Sequence, residues 1–241
     1  MHDLWRVDTG NYKRAYCEAL QRAQSDLPPH ILSKISVPQA IALPAVFEQQ
    51  RIRLLVMGQE TRGNHLGLIG CDCYETWSRQ IGGYVAFDYA DGGDASQRNG
   101  KFWKAVDEIR EVFALPSKRA MAWSNVLKVQ LIEETKNSYS LSRLPSEAQM
   151  QVLRWQRKLF EAELAFIRPS AIIFLTGSLH WVADQMFDSH QRLTKGSFDI
   201  VRIENLEIPM VQTHHPNARN GASVNRARAD ALGYLKAQLV N

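Results

Sequence analysis

Four short apolar runs, each followed at once by polar residues, constrain the fold of this chain more than any other feature. They cover residues 52–57, 120–125 with a continuation to 129, 171–177 and 208–213. Runs of this kind are typical of strands buried on both faces of a parallel sheet. Segments with helical spacing separate them, which indicates right-handed βαβ units. We therefore expect one three-layer αβα domain over residues 1–241, with a central parallel sheet of about four strands.

The helices are predicted from apolar residues that recur every three or four positions. Ser146 is expected to cap one of them, with Gln149 as the partner in a capping box. Phe102 falls on the packing face of another. The predicted helices cover residues 11–24, 101–114, 146–167, 178–187 and 224–240.

The remaining segments carry weaker signals. Residues 30–50 contain two prolines and are expected to form short turns or short helices. Residues 188–208 are expected to be irregular or hairpin-like. The segment 59–100 contains eight glycines, and a loop of that length in a compact domain is usually functional. We therefore expect it to contribute to a site.

Composition sets broad limits on the function. The chain has 241 residues, of which 45% are apolar and 22% charged, as in an ordinary globular domain. A net charge of +4 permits a phosphate-bearing partner but does not require one. No stretch of 18 apolar residues occurs and the N-terminus lacks a signal-peptide pattern, so we expect a cytoplasmic protein without membrane contact.

Three cysteines are too few for a disulfide scaffold. Cys71 and Cys73, one residue apart, could form half of a metal site, but the other ligands would have to come from elsewhere. Reduced thiols, Cys17 among them, are the favoured interpretation, and neither a metal nor a cofactor is expected.

Polar segments follow each predicted strand. They lie at 58–63, 124–125, 176–178 and 213–217. The carboxyl ends of parallel strands meet at one edge of the sheet, where ligands bind in open α/β folds. The sequence therefore predicts a site that combines a carboxylate, an amide and imidazoles.

The order of these segments resembles the uracil-DNA glycosylase superfamily. Gly58-Gln59-Glu60 matches a first motif that begins Gly-Gln-Asp-Pro-Tyr in the best-known branch, with Glu in place of Asp. Asn125, in Asn125-Val126-Leu127-Lys128, resembles the Asn-Val-Val-Lys form of a middle motif. His215-Pro216-Asn217 matches a late His-Pro-Ser motif, with Asn in place of Ser. The agreement extends over roughly residues 50–230 and implies the same fold.

The resemblance implies three chemical roles. Asn125 has a donor and an acceptor for the Watson–Crick edge of a flipped base, although an Asn at a strand end also caps turns. His215 would donate to the leaving base, with its neighbour His214 as the alternative, or would simply be a structural histidine. Glu60 would stabilise the sugar cation or orient water, unless it is a solvated loop residue.

Further contacts are implied around these residues. The backbone of Gly58 and Gln59 is expected to approach the base. Arg62 stands where the best-known branch has a tyrosine that excludes thymine, so uracil is only the default substrate. Several aromatic residues compete for the stacking role, and we do not choose among Tyr74, Trp77, Tyr84, Phe87 and Tyr89.

Basic residues after the late motif are candidates for DNA contact. Arg219 is placed to enter the minor groove. Arg226 and Arg228 are placed to meet phosphates, or else belong to a solvated helix face. Some branches of the superfamily hold an iron–sulfur cluster on four cysteines, which three cysteines here do not favour.

The sequence thus favours a DNA glycosylase-like enzyme that hydrolyses the N-glycosidic bond of a flipped deaminated or damaged base. Two alternatives remain open. One is a non-catalytic module on the same fold that binds a nucleotide or nucleic acid. The other is a small-molecule hydrolase or transferase on an unrelated αβα fold. The oligomeric state stays open.

Overall fold

The computed structural model describes most of the chain. The described residues are 5–8, 10–60, 66–87, 100–132, 138–177, 187, 190–218 and 221–240. Of Glu60, the backbone alone is described.

The strands are numbered in chain order, and two helices are only four residues long. The strands are β1 Trp5–Arg6, β2 Leu43–Pro44, β3 Leu54–Glu60, β4 Ala122–Leu127, β5 Leu131–Ile132, β6 Ser138–Tyr139, β7 Ala171–Phe174, β8 His190–Lys195, β9 Phe198–Ile203 and β10 Leu206–Gln212. The α-helices are α1 Asn11–Asp26, α2 Pro29–Leu32, α3 Ala45–Glu48, α4 Cys73–Phe87, α5 Lys101–Val112, α6 Ser146–Ile167 and α7 Gly221–Val240.

A six-stranded sheet in the order β4-β3-β7-β10-β9-β8 forms the centre of the molecule. The first four strands are parallel, β9 pairs antiparallel with β10, and β8 pairs antiparallel with β9. Every residue of β7, and every residue from Leu54 to Met57 in β3, is buried. Burial along consecutive residues means that both faces of the sheet are covered. The expected α/β class with a four-stranded parallel core is confirmed.

The antiparallel strands extend that core beyond the prediction. Within the segment 188–208, the residues from 190 to 203 form a hairpin of β8 and β9, as one of the two interpretations held. Gly196, with φ of 66°, forms the turn between these strands. β8 lies at the edge of the sheet, and Leu193 in it is exposed. An edge strand of mixed polarity lacks the continuous apolar run by which the other strands are predicted.

The predicted helices at 11–24, 101–114, 146–167 and 224–240 are confirmed as α1, α5, α6 and α7. Short helices α2 and α3 lie within residues 30–50, as expected. The capping box is wrong, because Ser146 is the first helical residue and Pro145 occupies the cap. Gln149 Nε2 instead donates to the Leu144 carbonyl at 2.5 Å. The helix predicted at 178–187 lies outside the described residues except for Phe187.

The prediction of a continuous loop at 59–100 is wrong over residues 73–87, which form α4. Trp77, Ile81 and Tyr84 are spaced by four and three residues and are buried on one face. Their packing outweighs the helix-weakening effect of Gly82 and Gly83. The helical spacing of these apolar residues is visible in the sequence, but the many glycines of the segment favour the interpretation as a loop.

A disulfide joins α1 to α4. Cys17 and Cys73 are bonded across Cα atoms that are 5.3 Å apart, which corrects the expectation of reduced thiols at these positions. Cys71 is free. Its thiol donates to the Leu68 carbonyl at 3.1 Å, and partial burial raises its pKa. Among the described helices, none is both long and apolar enough to cross a membrane.

Candidate active site at the carboxyl edge of the sheet

Gly58 and Asn125 are brought together by the pairing of β3 with β4. They lie opposite each other in the parallel register, two residues before Glu60 pairs with Leu127. The first and middle motifs therefore share one corner of the sheet, as the sequence predicted.

The contact between these residues explains why position 58 is glycine. A Cβ atom added at Gly58 would overlap Asn125 Oδ1 and would lie 3.4 Å from Phe102 Cε2. The amide oxygen of Asn125 thus occupies the space that any other residue at 58 would fill. Gly58 is required for close approach, and its backbone needs no positive φ.

The other end of the Asn125 amide is held by Gln39, which the sequence analysis did not single out. Asn125 is 5% exposed, and its Nδ2 donates to Gln39 Oε1 at 2.9 Å. Gln39 lies 86 residues earlier in the chain, and its surroundings contain no motif. Only the fold brings it to the corner.

Glu60 is the last residue of β3, so its backbone lies at the expected edge. Gln59, just before it, is partly buried. The parallel pairing of β3 with β4 continues to Glu60. The main chain of the first motif is therefore part of the sheet up to the carboxylate-bearing residue.

His215 follows β10 in a tight turn. Its Nδ1 accepts a hydrogen bond from the Asn217 backbone N–H at 3.1 Å, and its carbonyl accepts from the Ala218 N–H at 2.9 Å. A neutral imidazole that accepts at Nδ1 has its proton on Nε2. The turn therefore makes Nε2 the donating atom of His215.

Gly177 places the His215 segment next to the end of β7. Gly177 has φ of 64°, and a Cβ atom there would lie 3.3 Å from the His215 backbone nitrogen. The Gly177 N–H also donates to the Thr213 carbonyl at 3.0 Å. Since β7 is the strand between β3 and β10, His215 lies at the same edge of the sheet as Gly58 and Asn125. His214, by contrast, is exposed.

Most of the described aromatic candidates between 74 and 89 pack in the interior. Trp77 contacts the rings of Tyr12 and Tyr16. Tyr84 stacks on Trp123 with ring centroids 5.7 Å apart, and the Phe87 ring centroid lies 5.6 Å from that of the same indole. Tyr74 is 69% exposed and lies under the Lys13 ammonium. Tyr89 lies outside the described residues.

Phe102 is a described aromatic residue that lies beside the corner. It is the second residue of α5 and is partly buried. Its ring packs edge-on against Trp103, with the ring centroids 5.1 Å apart. The helical spacing predicts that Phe102 lies on a packing face. Spacing alone cannot show that one edge of the ring lies beside Gly58.

The four arginines predicted to contact DNA differ in their surroundings. Arg62 and Arg219 lie outside the described residues. Arg226 is exposed on α7. Arg228 is buried, and its Nη2 lies 2.6 Å from Glu108 Oε2 of α5. Its guanidinium is therefore held inside the protein, which corrects the expectation that Arg228 meets a phosphate.

A buried ionic cluster is connected to β4 through Ser124, the residue before Asn125. Lys128 follows β4, is fully buried, and its Nζ donates to Glu163 and to Ser124 Oγ. The Tyr12 hydroxyl donates to the other Glu163 oxygen at 3.1 Å. Burial lowers the pKa of Lys128, although the charge of Glu163 opposes this effect. Burial, together with Glu163, raises the pKa of Tyr12. Beyond the resemblance of Lys128 to a motif lysine, no pattern in the sequence indicates this cluster.

No grouping of three or more His, Cys, Asp or Glu side chains suited to a metal ion occurs among the described residues. No model of a protein family matches this chain, and no curated protein matches it. A function must therefore be inferred from the carboxyl edge of the sheet. Along this edge lie a fixed amide, a glycine that permits close approach, and an imidazole with a defined donor.

Proposed function

We propose that this protein is a DNA glycosylase-like enzyme, which hydrolyses the N-glycosidic bond of a deaminated or damaged base flipped out of DNA. The observation that carries the proposal is the position of three motif residues at one edge of the sheet. Glu60 ends β3, Asn125 lies in β4 beside Gly58, and His215 follows β10. Their order along the chain is that of the superfamily that the sequence resembles.

Each residue has a role that suits its surroundings. The Asn125 amide would hydrogen-bond the Watson–Crick edge of the base, with the backbone of Gly58 and Gln59 close by. The Nε2–H of His215 would stabilise the negative charge that develops on the leaving base. Glu60 would stabilise the sugar cation or orient the attacking water.

Phe102 is the aromatic residue that we propose for stacking on the base. Flipped bases are held between aromatic or apolar side chains. Phe102 is only partly buried, and its ring edge lies 3.4 Å from the position of a Cβ atom at Gly58. The described alternatives Trp77 and Tyr84 are buried among other aromatic rings.

The direct test is cleavage of single- and double-stranded oligonucleotides that contain uracil, hypoxanthine or xanthine, with alkali to reveal abasic sites. We expect an abasic product from at least one of them. His215→Gln should lower the rate about 100-fold or more, as loss of an oxyanion donor does. His214→Gln is the matched control and should leave the rate nearly unchanged.

Two results would count against the proposal. Absence of any abasic product at high enzyme concentration would exclude hydrolysis of these bases. Salt-dependent binding of the same oligonucleotides without cleavage would instead favour a non-catalytic binding module.

A further inference from the structure

Two neighbours of different kinds determine how the amide of Asn125 is oriented. Its oxygen lies where a side chain at Gly58 would begin. Its nitrogen donates to Gln39 Oε1 at 2.9 Å. An amide has an accepting end and a donating end, so turning the Asn125 amide alone would place its oxygen against Gln39 Oε1.

The backbone of Gln39 is held in place by the residues that follow β4. The Gln39 backbone N–H donates to the carbonyl of Lys128, just beyond β4, at 2.8 Å. Three residues earlier, the Ser36 N–H donates to the Gln130 carbonyl at 3.0 Å, and Ser36 Oγ accepts from the Gln130 N–H at 3.2 Å. The segment around Gln39 is thus fastened to residues 128–130, and its side chain meets Asn125 at a fixed place.

We propose that Gln39 is a positioning residue that sets the orientation of the Asn125 amide, and that this orientation decides which base edge the site accepts. The inference rests on the proposed glycosylase function. A uracil-type edge presents a ring N–H donor beside a carbonyl acceptor. A cytosine-type edge presents the reverse order, a ring nitrogen acceptor beside an amine donor. The acceptor at 39 fixes the order in which Asn125 offers its oxygen and its N–H.

Three substitutions separate the hydrogen bond from the shape of the side chain. Gln39→Glu keeps an acceptor, Gln39→Met keeps the approximate volume without one, and Gln39→Lys offers only donors. With lysine at 39, the Asn125 oxygen is expected to turn toward it and the amide to reverse. Thermal unfolding of each variant shows whether the fold is retained.

The first measurement is independent of activity. The side-chain ¹⁵N–¹H signals of Asn125, assigned by their loss in Asn125→Ala, report on its hydrogen bond through chemical shift and solvent exchange. We expect Gln39→Met to speed exchange roughly tenfold, in line with the loss of one hydrogen bond, while Gln39→Glu keeps the wild-type protection. Unchanged signals in a folded Gln39→Met variant would overturn the inference.

The second measurement is kcat/KM for matched oligonucleotides that contain uracil or cytosine. We expect Gln39→Met to lower the value for uracil about tenfold, Gln39→Glu to restore it, and Gln39→Lys to reduce the preference for uracil over cytosine by about 10- to 100-fold, the discrimination typical of a paired donor and acceptor. An unchanged preference in Gln39→Lys would overturn the inference. If the amide signals respond as expected but the wild type cleaves nothing, the positioning role of Gln39 stands and the glycosylase proposal fails.

Discussion

Gly58 offers the most direct single-residue test of the corner. Gly58→Ala adds a Cβ atom that overlaps Asn125 Oδ1, so the amide or the strand must shift. We expect the free energy of unfolding to fall by about 1–3 kcal/mol, as overpacked sites do. Cleavage, if present in the wild type, should fall as well. Denaturant unfolding and the oligonucleotide assay measure the two effects.

The matched control for this substitution is Gly82→Ala. Gly82 lies in α4, and a Cβ atom there meets nothing within 4 Å. The helix should gain about 0.5–1 kcal/mol from the lost flexibility of glycine. Equal effects at positions 58 and 82 would mean that the corner does not exclude a side chain.

These residues also show where prediction from sequence stops. Asn125 lies near the carboxyl end of β4 and His215 follows β10, so their edge could be predicted from the positions of the apolar runs. Gln39 and Phe102 reach the corner from a segment without a motif and from a helix face assigned to packing. Their contacts depend on how the elements are arranged in space, which the local pattern of one sequence does not encode.

Helix α6 contains a buried and an exposed acidic residue, which together test the buried ionic cluster. Glu163 pairs with Lys128 in the interior, whereas Glu161 pairs with Arg157 on the surface of the same helix. Glu163→Gln leaves the Lys128 ammonium buried without its countercharge. We expect a loss of about 3–5 kcal/mol in the free energy of unfolding.

Glu161→Gln is the control and should cost about 0.5 kcal/mol or less, because an exposed pair contributes little. Denaturant unfolding at neutral pH measures both variants. Replacing both partners, as Lys128→Met with Glu163→Gln, should recover part of the loss. Similar costs for Glu163→Gln and Glu161→Gln would contradict the role given to the buried pair.

Helix α7 carries one exposed arginine and one buried arginine. Arg226 is exposed, and Arg228 is buried against Glu108. If DNA is the partner, Arg226→Ala should weaken oligonucleotide binding and reduce the slope of log K against log salt by about 1. Arg228→Ala should leave that slope unchanged and lower the free energy of unfolding by about 1–3 kcal/mol, as the loss of charge-assisted hydrogen bonds does.

Fluorescence titration over a range of salt concentrations measures the binding. Two arginines that lie two positions apart look alike in the sequence, which predicts phosphate contact for both. Burial separates them, because Val224, Ala227 and Arg228 all lie on the packed side of α7. An unchanged salt slope in Arg226→Ala would remove this residue from any DNA-binding surface.

For the molecule as a whole, the predictable part is the parallel core. Apolar runs identify β3, β4, β7 and β10 because a strand buried on both faces carries apolar residues at most of its positions. The edge strands β8 and β9 and the glycine-containing helix α4 depend on one-sided packing, which leaves a weaker pattern. The disulfide between α1 and α4 connects residues 56 positions apart, and cysteine spacing alone cannot reveal such a pair.

This disulfide gives a prediction for the stability of the whole chain. Because it closes a long loop, it restricts the unfolded state, and Cys17→Ser with Cys73→Ser should lower the free energy of unfolding by about 2–4 kcal/mol. Thiol titration of the oxidised wild type in denaturant should find one reactive thiol per chain, from Cys71. Cys71→Ser is the control, with an expected change of about 1 kcal/mol or less. Reductant should destabilise the wild type but not the double variant, and three titratable thiols in the oxidised wild type would contradict the bond.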